Sequence, residues 1–156
     1  MAYRGFGNFG ITNWNGQNLV IATPNLKHLV ATSFKGRHVS VHSRENDNAE
    51  WVQKGKDILL TDNSPRRLSV TISDDANIVV IGDIVCNSFN NCENRNWVKV
   101  YGYNKLESEW QQIGETISPS LEESSAFSFM VHLSGNGKRF VISSANSTEL
   151  AIYEIS

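Results

Sequence analysis

The strongest constraint on the fold of this chain is an internal repeat. EWVQKGKDI at residues 50–58 returns as EWQQIGETI at residues 109–117. The alternating stretch HVSVH at 38–42 returns as WVKVY at 97–101, and both pairs are offset by 59 residues. A constant offset over 21 residues without a gap indicates a structural unit that recurs along the chain. Such units bury their faces against one another and do not fold singly.

Within each unit the sequence alternates between short strands and tight turns. The strand–turn–strand segments are NLVIATPNLKHLVATS at 18–33, RLSVTISDDANIVVIGD at 67–83 and FSFMVHLSGNGKRFVISS at 127–144. Their apolar residues alternate with a period of two, and Asp, Asn, Gly and Ser mark the turns. No segment combines a 3.6-residue period with helix-capping signals. LAIYEI at 150–155 aligns with WVKVYG, which places Tyr153 where Tyr101 stands.

A recurring unit of four short antiparallel strands is typical of a β-propeller blade. The sequence therefore predicts an all-β, partial β-propeller of about three four-stranded antiparallel blades in a single domain, residues 1–156. The predicted boundaries are 1–17 for an N-terminal arm or closing strand, 18–58 for the first blade, 67–117 for the second and 127–156 for an incomplete third. In the second blade the strands are predicted at 67–73, 78–85, 97–103 and 109–113.

Four repeated residues are predicted to be framework. Trp51 and Trp110 would each cover the apolar seam between adjacent blades with a large ring. Gly55 and Gly114 would permit a bulge in the outermost strand. Identical residues at identical repeat positions favour this structural role over ligand stacking.

The pattern W-x-Q-x-G, followed by S-x-D/N-G-x-x-x-A/V-I-G and V-x-V-Y, resembles propeller repeats of the kelch and FG-GAP-like type in algal, oomycete and large DNA virus proteins. The matching residues are Trp51, Gln53, Gly55, Ile58, Ser73, Asp75, Ile81, Gly82, Val100, Tyr101, Trp110, Gln112, Gly114, Ile117, Ser134, Gly137, Ile142, Ile152 and Tyr153. The resemblance implies a propeller fold and says little about function. The first unit departs from it, with Thr23-Pro24-Asn25 for the S-x-D turn and His42 in place of Tyr. No D-x-D-x-D-G loop occurs, so the calcium site of FG-GAP blades is not carried over.

Three blades are too few for a closed ring, since propellers use about four to eight. An open arc would expose two apolar blade faces and unpaired strand edges. We therefore expect a homo-oligomer, with a dimer favoured, in which two chains form one six-bladed ring and each N-terminus completes the partner's last blade. The alternative is an arc that packs on a different protein within a larger assembly.

The residues carry no recognisable catalytic or metal-binding motif. There is no G-x-S-x-G, H-E-x-x-H or phosphate-binding glycine loop. The histidines are His28, His38, His42 and His132. His38 and His42 would lie about 13 Å apart on one strand, too far to share a metal ion. The many serines leave a Ser–His–Asp arrangement open, but we predict no catalytic residues, metal or cofactor.

Candidate ligand-binding residues lie in or beside the long loops that connect the strands. They are Arg66 and Arg67, which offer bidentate donors, and the aromatic residues Phe89 and Trp97. Any one of them could also be an ordinary surface residue of a loop.

Cys86 and Cys92 leave three alternatives open: free thiols, a disulfide that closes a small loop, or a metal site. Asn146-Ser147-Thr148 is a glycosylation sequon that matters only if the chain is secreted.

The net charge of −2 gives no general attraction to nucleic acid, and no apolar stretch is long enough to span a membrane. No signal peptide is recognised, so a cytoplasmic or particle-associated location is expected. The leading hypothesis is a non-catalytic structural or protein-interaction module, not an enzyme. The second is a carbohydrate-binding lectin with a glycan partner. The third is a hydrolase that uses the central channel of the propeller.

Overall fold

The computed structural model describes residues 18–33, 38–60, 66–85, 97–119, 129–144 and 150–156. These residues form β-strands and turns without a helix, so none of them belongs to a helix that could cross a membrane. The strands are β1 (Asn18–Ala22), β2 (His28–Ser33), β3 (His38–Ser43), β4 (Val52–Gln53), β5 (Ile58–Leu59), β6 (Arg66–Ile72), β7 (Ile78–Val85), β8 (Trp97–Asn104), β9 (Glu109–Ile117), β10 (Phe129–Leu133), β11 (Arg139–Ser144) and β12 (Leu150–Glu154).

The strands form three antiparallel sheets in which sequence neighbours pair. Blade 1 has the order β1-β2-β3-β4, with β5 also paired to β3; blade 2 has the order β6-β7-β8-β9; blade 3 has the order β10-β11-β12 among the described residues. Strand β9 continues four residues beyond its predicted end at 113, because pairing with β8 resumes after the bulge at Gly114, where Val98 faces Ile117.

The turn between the first two strands of each blade has one recurring hydrogen-bond pattern. In blade 2, Ser73 Oγ donates to Asp75 Oδ1 at 2.6 Å and accepts from the Ile78 N–H at 3.0 Å. Asp75 Oδ1 also accepts from the Asn77 N–H at 3.0 Å. The side-chain bond and the bond to the backbone N–H two residues on recur in Thr23, Asn25 and Lys27 and in Ser134, Asn136 and Lys138. Thr23-Pro24-Asn25 therefore builds the same turn as S-x-D, although it departs from that sequence.

The fourth residue of each turn adopts the left-handed backbone region. Leu26 has a φ of 54°, Ala76 of 52° and Gly137 of 70°. At Gly137 an added Cβ would lie 3.0 Å from Ile78 Cγ1 and 3.3 Å from Ser73 Cβ. Glycine is favoured there because it relieves the backbone strain and lets the blade 3 turn rest directly on the blade 2 turn.

Two apolar layers separate the blades. The layer between blades 1 and 2 consists of Val30, Val39, Val41, Ile58, Leu60, Val70, Ile72, Ala76, Val79 and Ile81. The layer between blades 2 and 3 consists of Val80, Val98, Val100, Val131, Phe140 and Ile142. Both faces of blade 2 are therefore buried, which explains why its central strand reads as a continuous apolar run, IVVI.

Polar contacts join blades 2 and 3 along their innermost strands. The backbone N–H groups of Val131 and Leu133 donate to Ser69 Oγ at 3.0 Å and to Thr71 Oγ1 at 3.3 Å. Strand pairing within blade 3 leaves these two N–H groups at the edge of the sheet without a backbone acceptor, and the hydroxyls of β6 accept their hydrogen bonds. The innermost strands consequently lie side by side, as they do around the axis of a propeller.

Candidate functional site

A cleft of about 560 Å³ opens where the outer part of blade 1 meets the β8–β9 hairpin of blade 2. We call it the seam cleft. Its lining residues are Ser43, Val52, Gln53, Lys54, Gly55, Lys56, Tyr103, Glu107 and Ser108. A site at the junction of two packed units is typical of small-molecule clefts.

The 59-residue repeat positions the aromatic wall of the cleft. Tyr103 and Trp110 pack with ring centroids 5.2 Å apart and planes tilted by 50°. At the corresponding positions of blade 1, the Arg44 guanidinium lies 4.9 Å from the centre of the Trp51 ring. The repeat therefore keeps a tryptophan at each position and changes what its ring packs against.

Lys54 fixes blade 1 to the first turn of blade 2. Its Nζ donates to Ala76 O at 2.6 Å, Asn77 Oδ1 at 2.9 Å and Asp75 O at 3.4 Å, and it lies 4.8 Å from the centre of the Tyr103 ring. Burial lowers the pKa of Lys54 and Lys105 lowers it further, whereas the Asp75 charge acts to raise it. All three ammonium donors are engaged, so Lys54 holds the wall of the cleft in place.

Asp75 lies in the first turn of blade 2, where its backbone carbonyl accepts from Lys54 Nζ at 3.4 Å. Burial alone would raise the pKa of Asp75, but hydrogen bonds from Ser73 and Asn77 and the charge of Lys54 outweigh it and lower the pKa. Asp75 is therefore ionised across the whole neutral range.

A histidine contacts Ser43, one of the residues that line the cleft. His28 begins β2 and Ser43 ends β3, and the two residues are direct partners in the antiparallel register. The His28 Nδ1 and Ser43 Oγ are 2.8 Å apart, within hydrogen-bond distance. Burial lowers the pKa of His28, the charges of Lys54 and Lys27 lower it further, and the Asp75 charge opposes the shift. A neutral imidazole beside a hydroxyl is the arrangement that general-base activation of a serine requires.

The outer rim of the cleft carries a paired charge. Lys56 Nζ contacts Glu109 Oε1 across the seam, and Glu107 accepts from Asn104 Nδ2 at 3.2 Å and from the Gln111 amide. Both side chains of the Lys56–Glu109 pair are substantially exposed, so the pair adds little stability and leaves charged groups at the cleft mouth.

Of the residues predicted to bind ligand, the described part of the structure places the side chain of Trp97 alone, and Trp97 is not among the residues that line the seam cleft. Trp97, in β8, packs against the layer between blades 1 and 2, with Lys99 Nζ 4.8 Å from its ring centre. Arg66 and Arg67 form the start of β6, and their side chains fall outside the described part of the structure. Phe89, Cys86, Cys92 and Asn146 also lie outside the described residues. Ligand binding by these residues stays a prediction.

The remaining histidines do not gather into a site. His38 Nε2 lies 3.8 Å from Asp57 Oδ2, and His42 faces Gln53 in the register of β3 and β4. Within the described ranges, no group of three His, Cys, Asp or Glu side chains is placed to hold a metal ion.

Comparisons with known proteins place the fold. No protein-family model and no curated protein matches the chain. Among solved structures, a proposed 6-phosphogluconolactonase from Bacteroides uniformis is 21% identical with a TM-score of 0.53, aligned over 88% of this chain and 36% of that one. A second proposed 6-phosphogluconolactonase, from Bacteroides fragilis, is 12% identical with a TM-score of 0.55, aligned over 90% of this chain and 35% of that one. A periplasmic gluconolactonase from Pseudomonas aeruginosa is 12% identical with a TM-score of 0.51, over 86% and 34%.

These comparisons establish the fold. The all-β character and the partial propeller predicted from the sequence are confirmed. The chain spans a little over a third of the length of the solved structures that it matches. At identities of 12 to 21% the likeness extends to blade architecture and not to individual site residues.

The comparisons also correct the function expected from the sequence. A non-catalytic structural or interaction module was expected, with a lectin as the alternative and no enzyme activity; this is wrong, because three of the solved structures that share the fold are named as lactonases. The expectation rested on the absence of a local catalytic motif, and residues that meet only in the folded chain leave no such motif. His28 and Ser43 are 15 residues apart and meet only through the register of β2 and β3. The repeat identifies residues that recur from blade to blade, so it gives no indication of a pair such as His28 and Ser43 that does not recur.

Proposed function

We propose that this chain forms three blades of a propeller hydrolase that opens a cyclic ester of the sugar-lactone class. The observation that carries the proposal is the 2.8 Å contact between His28 Nδ1 and the Oγ of Ser43, a residue that lines the seam cleft. The solved lactonases support the reaction class, since they share the blade architecture.

In the proposed reaction Ser43 Oγ attacks the lactone carbonyl while His28 Nδ1 takes the hydroxyl proton. The ring C–O bond breaks, and the proton passes from His28 to the departing alkoxide, which leaves a ring-opened ester on Ser43. Water activated by the same imidazole then cleaves that ester and releases the hydroxy acid. The step requires a neutral His28 with its proton on Nε2, and the lowered pKa of His28 favours the neutral ring at neutral pH.

The proposal is tested by hydrolysis of glucono-δ-lactone in a pH-stat, measured above the uncatalysed rate. We expect Ser43→Ala and His28→Gln each to lower the catalysed rate by about 10² or more. Ser143→Ala is the matched control, because Ser143 is also a strand serine but lies in β11, which belongs to blade 3. Equal rates for all three variants and the unchanged chain would exclude the Ser43–His28 pair.

A second measurement reads the nucleophile directly. A fluorophosphonate probe should label Ser43, as peptide mass spectrometry would reveal, and His28→Gln should suppress the labelling. Label on other serines alone would contradict the assigned role even if lactone hydrolysis were observed.

A further inference from the structure

The open face of blade 3 exposes residues that the other blades bury. Ile152 and Leu150 in β12 are 69% and 66% exposed, and Met130 in β10 is 51% exposed. Ile152 faces Val141 in the register, as Val100 faces Val80 in blade 2. Val100 and Val98, at the positions of Ile152 and Leu150, are only 6% and 0% exposed because blade 3 covers them.

Blade 1 has the complementary exposure on its other side. Val79 and Phe140, which follow the turn serine of blades 2 and 3 by six residues, are buried against the preceding blade, whereas Leu29 in blade 1 is only partly buried. Leu59 lies on the same side of blade 1 as Leu29 and is 69% exposed. In the pairing of β5 with β3, Leu59 stands opposite His38 and Ile58 stands opposite Val39, so Leu59 and Ile58 point to opposite sides of the sheet. Among the described residues, blade 3 therefore presents an exposed forward face and blade 1 an exposed backward face.

We propose that these two faces bind each other between two copies of the chain, so that blade 3 of each copy packs on blade 1 of the other. The argument is continuity with the two seams inside the chain. Each internal seam joins a forward face to a backward face, and residues of the same two kinds of face are exposed on blades 3 and 1. Two such seams close six blades into a ring, within the range of about four to eight blades that propellers use. A closed assembly removes both apolar faces from water.

The inference is independent of the proposed hydrolase activity, because the Ser43–His28 pair lies inside one chain. The inference concerns only the partner that covers the two outer faces, and its test measures the mass of the assembly and not its catalytic activity.

The test is light scattering coupled to size-exclusion chromatography of the full chain at micromolar concentration. We expect a discrete species of twice the chain mass. Ile152→Glu on the forward face and Leu59→Glu on the backward face should each weaken the dimer by at least about tenfold. Both residues are exposed within the chain, so circular dichroism should show an unchanged fold. Leu106→Glu is the matched control, because Leu106 is 97% exposed on the β8–β9 turn and on neither face.

Mixing the two variants distinguishes this arrangement from other dimers. An Ile152→Glu chain keeps its backward face and a Leu59→Glu chain keeps its forward face, so the mixture retains one native seam and should recover a dimer. A monomer of the unchanged chain, an open polymer, or disruption by Ile152→Glu without any effect of Leu59→Glu would each overturn the proposal.

Discussion

The indole Nε1 of Trp110 donates a 2.9 Å hydrogen bond to the backbone carbonyl of Lys54 on the neighbouring blade. The next residue, Gly55, is the surface on which the ring rests: a Cβ there would lie 3.1 Å from that Nε1 and 2.9 Å from Tyr103 Cε2. The W-x-Q-x-G motif therefore contributes residues on both sides of this contact: the Trp of its copy in blade 2 packs on the Gly of its copy in blade 1.

Gly55→Ala should therefore destabilise the chain by about 2–3 kcal/mol. About 1 kcal/mol comes from the φ of 75°, which disfavours a side chain, and the rest from displacing the Tyr103 and Trp110 rings. Gly114→Ala is a close control, because Gly114 has a φ of 67° but nothing within 4 Å of its added Cβ, and it should lose only about 1 kcal/mol. Urea unfolding measures both, and equal losses would show that the ring contact contributes nothing.

The blade pattern could be predicted from the sequence because a propeller repeats its framework. The 59-residue offset linked Trp51 to Trp110 and Gly55 to Gly114, and both glycines have positive φ in outer-strand bulges. The turn at Thr23 is harder to recognise in the sequence, because threonine and asparagine stand where blade 2 has serine and aspartate. The hydrogen bonds are nonetheless the same, because the turn requires only a hydroxyl and an acceptor oxygen two residues later.

The candidate site could not be predicted in this way. His28 and Ser43 come from different strands, and their contact depends on the register of β2 and β3. A register shift of one residue would turn the two side chains to opposite faces. Both strands are recognisable in the sequence on either side of a short connection, but His28 and Ser43 become neighbours only once the register of β2 and β3 is known.

Ser73→Ala should lower stability by about 1–3 kcal/mol. The Ser73 side chain is fully buried, and its loss leaves the Ile78 N–H without its side-chain acceptor and removes one of the hydrogen-bond donors to Asp75. Ser73→Thr should retain most of the stability, because Thr23 makes the corresponding bonds in blade 1. Thermal unfolding of the two variants decides the point, and equal stability of Ala and Thr at this position would contradict the role of the hydroxyl.

Asp75 should make stability depend on pH in the acid range. Its pKa is lowered in the folded chain below the ordinary value of 3.8, so its contribution is full above that value and is lost as the pH falls through the folded pKa. Asp75→Asn keeps the acceptor oxygen, as Asn25 and Asn136 do in the other turns, but removes the titration. The free-energy difference between the two chains should be constant near neutrality and should shrink below about pH 3.8. A difference that does not change with pH would contradict the lowered pKa.

The pH profile of lactone hydrolysis should report the titration of His28. The base must be neutral, so the rate should fall on the acid side, with the midpoint of that fall below pH 6.5 because the pKa of His28 is lowered from that ordinary value. Burial is the main cause of the lowered pKa and the Lys54 charge the second, so Lys54→Gln should move the acid limb of the profile to higher pH. Lys27→Gln should move it less, because the Lys27 charge is the weakest of the named causes. Initial rates between pH 5 and 8 provide the measurement. If the acid limb stays in place in Lys54→Gln, the pH dependence of the rate does not arise from the titration of His28.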